Sequence, residues 1–136
     1  MFGSFKGKNI GRTKKILTDS IHFSGETHFA NVRQLTFGGD NAEAYLSKDG
    51  KYLIFQKTDP KNGIMCDQIW MGKVSTKISE KFEPKLISNG KGRTACPFFY
   101  PDGKSVLYAS THLANKDCPP VPYRTKYGNK YIRPIY

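Results

Sequence analysis

Two copies of one pattern lie 53 positions apart in this chain, which constrains it to fold as stacked copies of one supersecondary unit. The first copy runs Leu35-Thr36-Phe37-Gly38-Gly39, then from Asn41 to Lys51, then Tyr52-Leu53-Ile54-Phe55-Gln56-Lys57-Thr58. The second runs Leu86-Ile87-Ser88, then from Arg93 to Lys104, then from Ser105 to Thr111. Asp49-Gly50-Lys51 falls on Asp102-Gly103-Lys104, and the match continues without a gap to Thr58 and Thr111. Upstream, two extra residues in the second copy keep Leu35 opposite Leu86. A repeat of this kind points to a binding scaffold before it points to catalysis.

The repeat is built from short strands. Val32–Thr36 reads as a strand stopped by Gly38-Gly39, Ala42–Ser47 alternates, and Tyr52–Gln56 is β-rich and apolar on both faces. Residues 57–62 are polar and hold Pro60, with Gly63 following, so they read as a loop. Cys66–Val74 reads as a third strand carrying Trp70, Lys85–Ser88 as a fourth, and the cycle restarts with Ala95–Tyr100 and Ser105–Ser110. No amphipathic helix is evident, and the fold class expected is all-β.

The turns have their own chemistry. In Pro101-Asp102-Gly103, Pro presets φ, the Asp side chain caps the local backbone and Gly accepts a positive φ. Asp49-Gly50 repeats the last two of these, so Asp49, Gly50, Asp102 and Gly103 are expected to be structural turn residues closing tight hairpins. Strands with two apolar faces, such as Leu53 and Phe55 against Tyr52 and Ile54, need cover on both sides. Propeller blades supply it, and the small Ala42 and Ala44 suit an innermost strand.

Composition narrows the partners. The 136 residues carry a formal charge of +11 and are 38% hydrophobic, enough for one domain with a modest core. The charge is scattered, with only Lys14-Lys15 adjacent and no nucleic-acid-binding motif, so a soluble lysine-rich surface is favoured over a nucleic-acid or anionic-surface binder. No stretch is long enough to span a membrane. The N-terminus lacks an apolar run after its basic residues and does not read as a secretory signal, which leaves a cytoplasmic chain or a start further upstream. Cys66, Cys96 and Cys118 cannot all pair within one chain and have no CxxC spacing. One disulfide plus a free thiol, or three thiols, remain open.

The quoted residues resemble the TolB-like β-propeller repeat. Gln34 to Glu43, then Ser47-Lys48-Asp49-Gly50-Lys51 and Leu53-Ile54-Phe55, follow its pattern of Leu-Thr, a Gly/Asn loop, Ser-Pro-Asp-Gly-Lys and an apolar strand. Tyr100-Pro101-Asp102-Gly103-Lys104 fits equally well, and Asp67-Gln68-Ile69-Trp70 is similar to the third-strand segment. Lys48 departs from the usual Pro, Tyr100 from the usual Ser, and residues 71–84 lack the usual Asn-x-Asp-Gly turn. A closed propeller takes typically four to eight blades, and this chain supplies about two. The resemblance therefore implies a partial propeller of four-stranded antiparallel blades. Residues 1–28 would be a basic arm or edge strand, 29–88 a first blade, and 89–136 a second, incomplete blade with a Pro-rich loop. Tyr131–Tyr136 would stop where a further strand begins.

The resemblance implies a non-catalytic scaffold that binds a protein or peptide segment, as in Tol–Pal-type proteins of the bacterial periplasm and envelope. The alternative it offers is a gating propeller of a peptidase. Open blade edges would favour self-association. Binding in such folds uses loops at the channel mouth, which here hold Asp40, Asn41 and Glu43 in one copy and Arg93, Thr94 and Cys96 in the other. These form either a polar rim for a partner segment or cation, or hydrogen bonds that tie blade to blade. No cofactor is expected: Gly38-Gly39 precedes a strand, which disfavours a phosphate loop, and His22, His28 and His112 are spread apart. No catalytic residue is expected either, since Ser110 and His112 lack a hydrolase elbow and Cys96 lacks an evident base. Trp70 and Phe98-Phe99 are expected in an inter-blade core.

Overall fold

A computed structural model describes residues 23–29, 32–77 and 79–120. The basic arm before Phe23 and the segment after Pro120, Tyr131–Tyr136 included, lie outside the described residues. The chain divides into two compact units, Met1–Gln34 and Leu35–Tyr136. In the first, Phe23–Phe29 folds into consecutive turns: Glu26 N–H donates to the Phe23 carbonyl at 3.1 Å, and the Glu26 carboxylate accepts from Phe23 N–H at 3.0 Å.

The second unit is all-β. Its elements are β1 (Asn41–Leu46), β2 (Tyr52–Asp59), a 3-10 turn (Pro60–Asn62), β3 (Ile64–Lys73), β4 (Lys85–Leu86), β5 (Thr94–Phe99) and β6 (Val106–Ser110). The first four form one antiparallel sheet in the order β1-β2-β3-β4, and β5 and β6 form a two-stranded sheet. This matches a four-stranded blade followed by half of another, and is consistent with part of a propeller. Among the described residues, no helix is long and apolar enough to cross a membrane.

The two copies share backbone detail. Ser47 N–H bonds the Tyr52 carbonyl at 2.9 Å, and Tyr100 N–H bonds that of Ser105 at 2.9 Å. Gly50 and Gly103 end the matching turns at φ 69° and 66°. Each inner strand then bulges at the same place, between Ala42 and Tyr45 and between Ala95 and Phe98. The bulges put Glu43 and Cys96 each at φ 51°, in the left-handed region that non-glycine residues rarely occupy. A 53-residue repeat in sequence is thus a repeat in dihedral angles.

The core sits on both faces of the first sheet. Ile54 and Ile69 are fully buried and Phe55 almost so. Phe55 faces Phe82 from the β3–β4 connection, ring centroids 6.1 Å apart. Gly72 leaves room for that ring: a Cβ there would meet Phe82 Cε2 at 2.6 Å.

Three strand expectations change. β2 extends to Asp59, through residues expected in a loop, because Lys57 and Thr58 have partners: Lys57 lies opposite Gln68 and Asn41, and its ammonium sits 4.9 Å over the Trp70 ring and 3.6 Å from Asp59. Lys85–Ser88 shortens to Lys85–Leu86, after which Ser88 turns its hydroxyl to the Ile69 N–H. Val32–Thr36 lies outside every described strand. It is the repeat counterpart of β4, which pairs antiparallel with β3.

Candidate functional site

The site is built on a latch that occurs once in each copy. In the first, Asp40 N–H donates to Thr58 Oγ1 at 2.9 Å, and Thr58 N–H returns a bond to the Asp40 carbonyl at 3.0 Å. In the second, Arg93 N–H donates to Thr111 Oγ1 at 3.0 Å and Thr111 N–H to the Arg93 carbonyl at 3.0 Å. Gly39 and Gly92 precede these donors at positive φ, pressed against the same threonines. Asn41 holds the first loop shut, its amide donating to the Gly38 and Gly39 carbonyls at 3.3 and 3.1 Å.

A seam of buried polar groups joins the two sheets. Thr94, 1% exposed, donates its hydroxyl to the Asp67 carbonyl at 3.1 Å. Gln68, equally buried, donates to the Gly92 carbonyl at 2.9 Å and accepts from the Ser88 hydroxyl at 2.7 Å. At the exposed end of this seam, Gln56 Oε1 accepts from Cys96 N–H at 3.2 Å, in the bulge of β5. Buried polar groups are costly unless paired, so this network fixes how β5 lies across β2 and β3. Cys66 of β3 and Cys118, beyond β6, are joined by a disulfide, and Cys96 is an exposed free thiol. Arg93 Nε lies 3.7 Å from Asp67 Oδ2, beside that bridge.

The exposed face of the site is aromatic and acidic. Tyr45 and Phe98, the residues that follow the two bulges, meet edge to face with centroids 5.8 Å apart. Phe98 is 56% exposed and so lies on the surface rather than in the expected core; the bulge shifts its register on β5. Trp70 is half-buried, its Nε1 donating to the Lys57 carbonyl at 3.2 Å. Tyr45 Oη donates to Glu43 Oε2 at 3.0 Å. That hydrogen bond, with the charge of Glu43 and lesser contributions from desolvation and Cys96, raises the Tyr45 pKa. Glu43→Gln is therefore expected to bring the Tyr45 phenol titration, followed by its ultraviolet absorbance, down toward the ordinary tyrosine value.

Of the six sequence-selected residues, Glu43 and Cys96 stand on the exposed rim, with Asp40 and Asn41 also exposed at its entrance. Thr94 is inside, and Arg93 is half-buried against Asp67. Tyr45, Gln56 and Gln68 were not selected. The 53-residue offset that pairs Tyr45 with Phe98 could have found the first; no local signal marks the two glutamines. Ser110 Oγ lies 2.7 Å from His112 Nδ1 and also accepts from the His112 backbone N–H at 3.3 Å, a local turn at the end of β6. Among the described residues, no group of three His, Cys, Asp or Glu side chains is placed to hold a metal.

The turn residues are wired alike. Asp49 accepts from the Ser47 hydroxyl at 2.8 Å and Lys51 N–H at 3.2 Å, and Asp102 from Lys104 N–H at 2.8 Å and Ser105 N–H at 3.1 Å. The Ser47 bond first, then that of Lys51 N–H, lowers the Asp49 pKa to about 2. Asp102 is lowered by the Lys104 and Ser105 amides. A carboxylate depressed on folding stabilises the turn above its unfolded pKa, about 3.9, and loses that contribution as pH falls through the folded value. A carbon-detected NMR titration should place the Asp49 midpoint near 2, and Ser47→Ala should move it upward.

No family model, no curated protein and no solved structure matches this chain.

Proposed function

We propose that this chain is a non-catalytic protein-interaction scaffold built from TolB-like propeller repeats, of the kind that serves Tol–Pal-type proteins of the bacterial envelope. The observation that carries this reading is the aromatic rim made by equivalent positions of the two copies. Tyr45 and Phe98 stay exposed beside Glu43 and Cys96, with β5 tied to the first sheet through the buried Thr94. Exposed aromatics on a rigid base are the side chains that anchor a bound segment at low entropic cost. The partner is an extended peptide segment of an envelope protein, its apolar side chains against Tyr45 and Phe98 and a basic or hydroxyl group toward Glu43. The Cys66–Cys118 disulfide supports an oxidising compartment such as the periplasm.

A phage-displayed library of extended peptides, selected on the oxidised full chain, tests this reading. Selected peptides should bind with micromolar affinity, and Tyr45→Ala or Phe98→Ala should weaken each by about tenfold. Absence of any binder, or binders indifferent to both substitutions, would refute it.

A further inference from the structure

We propose that Cys118 is a site of thiol–disulfide exchange for low-molecular-weight thiols, and that Arg93 is the positioning residue that promotes the exchange. The two sulfurs of the bridge are unequal. Cys66 is 5% exposed within β3, whereas Cys118 is exposed in the loop beyond β6. A thiol arriving from solvent therefore reaches Cys118 Sγ and is kept from Cys66 Sγ.

Arg93 sits at the attacked sulfur. Its Nη2 is 4.0 Å from Cys118 Sγ, and its Nε lies 3.7 Å from Asp67 Oδ2, a carboxylate that orients the guanidinium. Arg93 Nε is buried with no hydrogen-bond partner. The loop is held in register from the other side, where Gly92 N–H donates to the Lys116 carbonyl at 2.7 Å. The backbone at Gly92 and Arg93 thus places both the cation and the sulfur.

The chemistry balances with a thiol as the only co-reactant. A thiolate attacks Cys118 Sγ, a new S–S bond forms, and the bond to Cys66 breaks. Its electron pair goes to Cys66 Sγ, which takes a proton from solvent. A second thiolate then attacks the small-molecule sulfur of the mixed disulfide, releasing Cys118 as thiolate and a low-molecular-weight disulfide. Two thiols are oxidised and one bridge is reduced. In the first step negative charge spreads over three sulfurs, and a guanidinium beside the central one stabilises that transition state and draws the incoming anion. Opening the bridge removes the covalent tie at Cys118 but leaves the Gly92–Lys116 bond in the loop and the Thr94 and Gln68 bonds across the seam, so the two sheets stay joined.

The test uses the full oxidised chain with Cys96→Ser, so that one thiol chemistry is followed. β-Mercaptoethanol is added, the reaction is quenched with acid and alkylating agent, and adducts are located by peptide mass spectrometry. The first adduct should form on Cys118. Arg93→Gln should slow its formation by about fivefold, and Arg93→Lys should retain most of the rate. An adduct on Cys66 in the chain that keeps Arg93 would overturn the proposal even if Arg93→Gln failed to fold. An unchanged rate in a folded Arg93→Gln variant would overturn the role of Arg93.

Discussion

Replacing Cys66 or Cys118 with serine should lower the melting temperature of the oxidised chain by more than about 10 °C. The bridge spans 52 residues, from β3 of the first sheet to the loop after β6. A cross-link of that span removes loop-closure entropy from the unfolded chain, worth about 4 kcal/mol. The rest of the fold offers little to offset its loss. Among the described residues the buried core is small, centred on Ile54, Phe55, Ile69 and Cys66 itself, and β1 is exposed along its length. Cys66→Ser should cost more than Cys118→Ser. It places a hydroxyl in an apolar position, whereas Cys118 lies in solvent. Thermal melts with and without reductant check both points: the parent chain in reductant should approach the Cys118→Ser variant, and both variants should be indifferent to reductant. A parent chain whose melt ignores reductant would show that the bridge carries no stability.

The second large effect concerns Gly39 and Gly92. A Cβ at Gly39 would run into the Thr58 carbonyl oxygen, and one at Gly92 would lie 2.7 Å from Thr111 Oγ1 and 2.8 Å from the His112 nitrogen. Both obstacles lie at or next to the latch threonines and are mainly backbone, which cannot swing aside. Gly39→Ala and Gly92→Ala should each cost about 3 kcal/mol, combining a strained positive φ with a steric clash. Gly50→Ala separates the two causes. Gly50 has φ 69° but open space where the Cβ would go, so it should cost only about 1 kcal/mol. Urea denaturation of the three variants gives the comparison. Equal losses at all three positions would mean that the latches do not press on the glycines as described.

The parts of this fold legible in the sequence were those fixed by local chemistry. Asp-Gly turns need their residue types wherever they stand, so both hairpins could be placed from Asp49-Gly50 and Asp102-Gly103, while the bulges that shift their register could not. The third strand was read over Cys66–Val74, around Trp70, and the structure has a strand there, Ile64–Lys73. What could not be read depended on contacts distant in sequence. Residues 57–59 look like a loop because they are polar, yet Thr58 is held by Asp40 and Lys57 by Trp70 and Asp59. The choice of Cys66 and Cys118 over the other pairings depends on β5 crossing β3, which no spacing reveals. The rim residues were legible in part. The loops before the inner strands were identified, but the direction of each side chain was decided by the bulges. Glu43 and Cys96 occupy them at positive φ, while Thr94, two residues before Cys96, points inward to Asp67.

The central claim is that the sequence repeat is a structural one, with matching latches and an aromatic contact between the copies. The most direct measurement is NMR of the oxidised chain, recording scalar couplings across hydrogen bonds together with ring-to-ring nuclear Overhauser effects. Couplings from Thr58 N–H to the Asp40 carbonyl and from Thr111 N–H to the Arg93 carbonyl should both appear, with cross-peaks between the Tyr45 and Phe98 rings. A coupling in one copy without the other, or no contact between those rings, would contradict the account.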